Sequence, residues 1–455
     1  MDDTLSQGHY LITGADVISV DPEIGTVANT DIEIADGVIQ AVGRGLEAPG
    51  AEVIDARSMI ALPGFVETHF HMWSTIGKNF LQEDYEYFDA KHATHEAYLP
   101  EDFRNSVLLG LIEAADAGIT TVHNWAHNAV SVEHVHAEMA AHADYPLRAR
   151  YSFGFRDSSP KSQLIDFAGL DEVRARWFED DAFDGLVHLG VNMRPSLDRD
   201  VFLQEVAETR RRGLPISTHN GQRADLPLGA AELERLGFLD ADFLLCHGLP
   251  FEAEDREAMV RAGASMSISP HSEMRGGSGG RFHEQAVHMP ALGINVALSI
   301  DAASLAPIDM FEAMRIMWNL GVPWTSDDTA DLPALVYRQV IEMATINGAK
   351  ALGIDDRVGS ITPGKRADVI LIRQTDLNML PAFDVESAIV RNAKNQNVDT
   401  VFVDGRILKR GGSLQGIDVA QVAERAIASS KDVRSRAYGE RLVAAPFAQG
   451  AALDE

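Results

Sequence analysis

One cysteine, Cys246, stands in 455 residues, so no internal disulfide can form and a reducing compartment is expected. Long apolar runs are missing as well: no stretch approaches the roughly 20 residues that cross a bilayer, so no helical membrane span is expected. Basic residues are scarce, with 39 Lys and Arg against 68 Asp and Glu and a formal charge of −29. That balance argues against nucleic acid, whose phosphates need a basic footprint, and against an anionic membrane surface. The opening "MDDTLSQGHYLITGADVISV" begins with acids and has no basic segment before an apolar one. It does not read as a secretory leader, and the cytoplasm is the expected location.

What is present suits a folded protein, with 45% hydrophobic and 24% charged residues and enough length for a large domain beside a small one. Two remote segments, "DIEIADGVIQAVG" (31–43) and "VFVDGRILKRGG" (401–412), are short alternating runs joined by Asp-Gly, a strong hairpin signal. We expect residues 1–62 and 359–415 to form a small β-sandwich domain built from both chain ends, leaving a helical segment at 416–455. Between them, over 63–358, strand-like and helix-like pieces alternate. The strand candidates are "MIALPGFVETHFH", "ITTVHNW", "RARYSFGF", "LVHLGVNM", "LPISTHNG", "FLLCHG", "ASMSISPH" and "INVALSID". Eight strands alternating with helices imply a parallel sheet closed into a (β/α)8 TIM barrel. An open doubly wound sheet is the alternative, but "HFHMW" is not the Gly-rich loop such a sheet carries after its first strand.

In a barrel, chemistry sits at the C-terminal ends of the strands. Those ends carry His69 and His71 on strand one, His219 on strand five, His247 on strand six, His271 on strand seven and Asp301 on strand eight. Residues two apart in a strand share a side, so His69 and His71 converge. Chance would scatter histidines over helices and loops; their joint placement points to a metal site.

The run "GFVETHFH", followed by "STH", "CHG" and "SID", resembles the amidohydrolase superfamily. More narrowly, it resembles the branch of cytosine, guanine and adenosine-type deaminases and s-triazine hydrolases, to which some phenylurea and thiocarbamate hydrolases belong. The resemblance spans almost the whole chain, including "GSITPGKRADVILI". It implies His69, His71, His219 and Asp301 as metal ligands, and His247 as the residue facing the bound water or the reacting group. Relatives with two metals bridge them through a lysine on strand four. Here that strand holds Asn192, and no lysine occurs between Lys161 and Lys350. One divalent ion is therefore expected: zinc, with iron, cobalt and manganese compatible. Asp301 can then act as base and acid, with His247 stabilising developing negative charge.

Deaminases of this branch place a glutamate three residues after the strand-five histidine, where this chain has Gln222. An amide cannot donate and recover a proton. The sequence thus favours hydrolysis of an amide, urea or carbamate C–N bond in a small molecule, with Gln222 contacting the substrate. The alternative is a deaminase or dechlorinating hydrolase of a nitrogen heterocycle, with His271, Glu273 or another acid replacing the glutamate. Trp73, Phe80, Tyr85, Tyr87 and Phe88 follow strand one and can line an apolar pocket or equally pack the loop onto the barrel; Trp73 and His271 are taken as further substrate contacts. Asn124 and His127 sit just past strand two as candidate pocket residues. "RGGSGGRF" (275–282) reads as a mobile loop, Cys246 as a small buried residue, and a homo-oligomer is expected from the relatives.

Overall fold

The computed structural model describes residues 5–80, 87–194, 198–220, 229–275, 279–323 and 329–439. Eight parallel strands follow one another in chain order: Phe65–Phe70, Ile119–Trp125, Arg148–Phe153, Val187–Met193, Ile216–Asn220, Phe243–His247, Ser265–Ile268 and Asn295–Leu298. Each pairs with the next in sequence, which rules out the reordered strands of a doubly wound sheet. All residues of the first three strands are buried, as expected where helices cover a parallel sheet. The helix Pro100–Asp116 shows the local logic of those covers. Proline at its first turn needs no amide donor, and the Asp102 carboxylate takes the Leu99 N–H at 2.8 Å.

The seam between strands one and eight closes at its upper end. Asp301 N–H donates to His69 O and His71 N–H to Asp301 O, both at 2.8 Å. Below them the Glu67 carboxylate spans the gap, accepting the Ile300 N–H at 2.8 Å and the His69 N–H. The Thr68 hydroxyl adds a bond to Leu298 O at 3.0 Å. Closure of the barrel and placement of His69, His71 and Asp301 are thus one set of hydrogen bonds.

Both chain ends build the second unit, a nine-stranded mixed sheet enclosing its own core of Ile12, Val17, Ile32, Ile34, Val369, Leu371 and Phe402. The two Asp-Gly hairpins form as expected. Asp36 and Gly37 take φ of 52° and 74°, and Asp404 and Gly405 take 54° and 72°, the paired positive values of a type I′ turn. The turns meet, since a Cβ added to Gly405 would lie 2.7 Å from the Gly37 Cα. The small β domain expected from both chain ends forms, its strands hydrogen-bonded into one sheet that curls until its hairpin tips touch. The helix Val419–Tyr438 buries Val422, Ala426, Ser429 and Val433, one face at helical spacing, and lies against the helix Pro100–Asp116. No helix of the described residues is long and apolar enough to cross a membrane.

Candidate metal centre

Strand one ends at Phe70, so His69 is carried by the strand, whereas His71 already starts the 3-10 turn Met72–Gly77. The seam bond from His71 N–H to Asp301 O, rather than strand alternation, holds His71 beside His69. Their ring centroids lie 4.7 Å apart. Asp301 Oδ1 stands 3.3 Å from His69 Nε2 and 3.1 Å from His71 Nε2. His219 Nε2, from the end of strand five, lies 3.1 Å from His69 Nε2. One donor atom each from His69, His219, His247 and Asp301 lies within 4.8 Å of the others.

Two positions in this cluster adopt backbone that L-residues rarely use: His247 with φ +76° and Asp301 with φ +69°. Such conformations persist where surroundings over-determine them, and they gather at functional sites. Here each turns the chain sharply off its strand so that the side chain faces the barrel mouth.

Burial sets the protonation. It pushes the His69 imidazole down to about 3, against the pull of Asp301, and it drives His219 well below the ordinary value, helped by the neighbouring histidines. Neutral imidazoles keep a lone pair free. Asp301 loses solvation, yet hydrogen bonds from His69 and His71 hold its carboxyl well below the usual range. The Nε2 of His247 is buried and has no hydrogen-bond partner. Converging imidazole nitrogens and a carboxylate oxygen, with one of those nitrogens left unsatisfied, fit a borderline-soft divalent cation.

A wall of aromatics backs the cluster. Trp125 lies 4.0 Å from the His219 ring, 5.3 Å from His69 and 5.1 Å from His71. His127 stands 4.5 Å from the His71 ring, and its Nδ1 accepts the Trp73 indole N–H at 3.1 Å. Trp73, expected as a substrate contact, packs edge-on against Tyr98 and stacks on Phe103, and together with Phe80 and Ser304 it lines a small cleft. Its indole N–H reaches His127 rather than the donor cluster. His271, the other expected contact, occupies the short helix Pro270–Arg275 with its Nε2 3.5 Å from Glu312 Oε1. Gln222, Tyr85 and part of the Gly-rich loop lie outside the described residues. Asn192 donates to the carbonyls of Ser152 at 2.8 Å and Ala126 at 3.2 Å, and accepts from the Ser217 hydroxyl, so strand neighbours occupy its amide. Asn124 points to His142 at 3.2 Å.

Sequence reading passed over Glu67, Trp125 and the bond between His247 and Glu273. Glu67 has a sequence signal, since it lies two residues before His69 and so shares its strand face. Trp125 had only its place at a strand end.

A model described as the amidohydrolase family matches residues 60–408. The chain belongs to that family. Among curated relatives, the 5'-deoxyadenosine deaminase of Methanosarcina acetivorans is 29% identical over 451 residues, 94% of this chain and 99% of the relative. The 5-methylthioadenosine/S-adenosylhomocysteine deaminase of Moorella thermoacetica is 30% identical over 391 residues, 81% of this chain and 86% of its own. Among solved structures, an adenosine deaminase from Xanthomonas campestris with bound zinc superposes with a TM-score of 0.79 at 20% identity, covering 94% of this chain and 98% of that one. An atrazine chlorohydrolase from Arthrobacter aurescens complexed with zinc gives 0.77 at 19%, covering 92% and 100%. This amidohydrolase is an enzyme acting on C–N bonds other than peptide bonds. These relatives are adenosine-type deaminases and a triazine hydrolase rather than phenylurea or thiocarbamate hydrolases.

Proposed function

We propose that this amidohydrolase hydrolyses a ring carbon of a nitrogen heterocycle, displacing an amino group or a halide from an adenosine-like or triazine-like substrate. The observation that carries this reading is the donor cluster of His69, His219, His247 and Asp301 at the barrel mouth, in a chain that adenosine-type deaminases match almost end to end. His69, His219 and Asp301 of that cluster, joined by His71, whose Nε2 lies 3.1 Å from Asp301 Oδ1, would hold one divalent cation, with zinc the ion their donors suit best. When bound, that cation supplies Lewis acidity, making water more acidic and the attacked carbon more electrophilic.

The chain's own groups do the rest. Asp301 Oδ1, shared between two imidazoles, accepts the proton of the attacking water and returns it to a departing amino group, whereas a halide leaves as the anion and the proton passes to solvent. His247 faces the reacting group from the strand-six end. Trp125 and the aromatics behind it exclude bulk water, which strengthens every charge interaction at the centre.

A second reading, hydrolysis of an amide, urea or carbamate, is favoured by Gln222. Such substrates need no proton on a ring nitrogen, and an amide side chain cannot supply one.

The test is elemental analysis together with a substrate panel on one preparation. Ammonia or chloride release from adenosine-type nucleosides and chlorotriazines supports the heterocycle reading; turnover confined to anilides, phenylureas or thiocarbamates replaces it with the second. His69→Ala should remove the metal and lower kcat/KM by more than the about 100-fold that loss of an outer contact costs. Full metal content in that variant would overturn the ligand set.

A further inference from the structure

The His247 side chain makes a contact that decides what it can do. Its Nδ1 lies 3.1 Å from Glu273 Oε1, and both side chains are fully buried. Glu273 comes from the short helix Pro270–Arg275 that follows strand seven. The backbone N–H of Ser269 donates to the same Oε1 at 2.9 Å. Glu273 Oε2, by contrast, has no hydrogen-bond partner.

This asymmetry fixes the direction of the bond. An oxygen already receiving a backbone N–H acts as an acceptor. As a carboxylate, Glu273 takes both bonds on Oε1, the Ser269 N–H and the His247 Nδ1–H. An ionised Oε1 can only accept, so Nδ1 of His247 donates. We propose that Glu273 locks His247 as its Nδ1–H tautomer, so that Nε2 enters the metal centre as a bare lone pair.

The backbone agrees. His247 is held at φ +76°, and its ring is fully buried with Nδ1 engaged by Glu273, which opposes a turn that would present the other nitrogen. Nε2 is buried without a hydrogen-bond partner, His247 belongs to the donor cluster, and its ring stacks at 19° to that of His219, 5.3 Å away. The consequence reverses one sequence expectation. Burial lowers the His247 pKa, but the Glu273 hydrogen bond and the Asp301 charge raise it above the ordinary value; in its neutral form, with Nδ1 engaged, His247 accepts a hydrogen bond from water or gives its lone pair to the cation rather than donating to a developing oxyanion. Glu273 is thus a positioning residue acting through His247, not a substrate contact or a substitute acid. This deepens the reading of the site as catalytic and rests on it, but the tautomer can be read without any substrate.

The experiment uses zinc-loaded protein labelled with 15N-histidine, with His247→Ala identifying the His247 signals. Long-range proton–nitrogen spectra should show His247 protonated at Nδ1 and bare at Nε2. Glu273→Gln should keep that pattern, because its amide oxygen can take both bonds. Glu273→Ala should lose the pattern and about 10- to 100-fold in kcat/KM, and should cost nothing further on the His247→Ala background. A wild-type signal protonated at Nε2 overturns the proposal, as does loss of the pattern in Glu273→Gln. An equal activity cost of Glu273→Ala with and without His247 also overturns it. If Glu273→Ala does not fold, the Glu273→Gln spectrum decides. If no heterocycle is turned over, the proposed substrate class falls while the spectra still judge Glu273.

Discussion

Glu138 projects from the helix Val132–Asp144 with 1% exposure. Burial raises its carboxyl to about 8, opposed in part by the Tyr151 hydroxyl. Between the unfolded value near 4.5 and about 8, the folded chain therefore holds a proton that the unfolded chain has released. Stability falls as pH rises through that window, by about 1.4 kcal/mol for each pH unit crossed. Glu138→Gln should remove this slope. Denaturant titrations at pH 5 and pH 8 should show the wild type losing a few kcal/mol more than the variant between the two; parallel losses would mean that Glu138 is solvated. The same physics acts with opposite sign on His69, where burial favours the neutral imidazole and keeps a donor atom free. The placement of His69 at a strand end was legible from the run "FVETHFH" and the alternation around it. Glu138 carried no such signal, because its environment is made by Tyr151 on another element.

At the scale of elements, the 3-10 turn Met72–Gly77 joins the centre to its support. It begins at His71 and carries Trp73, whose ring packs against Tyr98 and Phe103 and whose N–H reaches His127. Trp73→Ala should destabilise the protein by about 3–5 kcal/mol, as for other buried large-to-small changes, measurable as a lower urea midpoint at unchanged slope. A change below about 1 kcal/mol would mean the loop around it re-forms without the indole. Strand order, hairpins and helix faces were readable because each depends on local periodicity. The 3-10 turn was not. Period-two alternation predicted that His69 and His71 share a side of one strand, but the strand stops between them, and a seam bond to Asp301 does the aligning.

For the molecule as a whole, the barrel floor and the curled sheet meet through charge. Arg148, the first residue of strand three, is buried and donates to Asp368 at 2.8 and 3.0 Å and to Asp404 at 3.3 Å. Arg406 completes the group through Asp404 at 2.6 Å. Removing one partner strands the others in a low-dielectric junction. Arg148→Ala should cost about 3–5 kcal/mol while leaving metal stoichiometry intact in the protein that remains folded. Loss of metal alongside loss of stability would show that the junction also shapes the barrel mouth, which the seam bonds alone are expected to hold.

The amino-acid order by itself determined the strand and helix succession, the hairpin tips, the acidic surface and the histidines at strand ends, since all follow from short-range pattern and composition. Only the tertiary structure decided that Glu67 closes the barrel seam, that the Trp73 indole reaches His127, and that Glu273 meets the His247 ring. Those contacts join residues up to 233 positions apart, as between Glu67 and Ile300. Their direction depends on which atoms are buried together, and no local pattern along the chain encodes that.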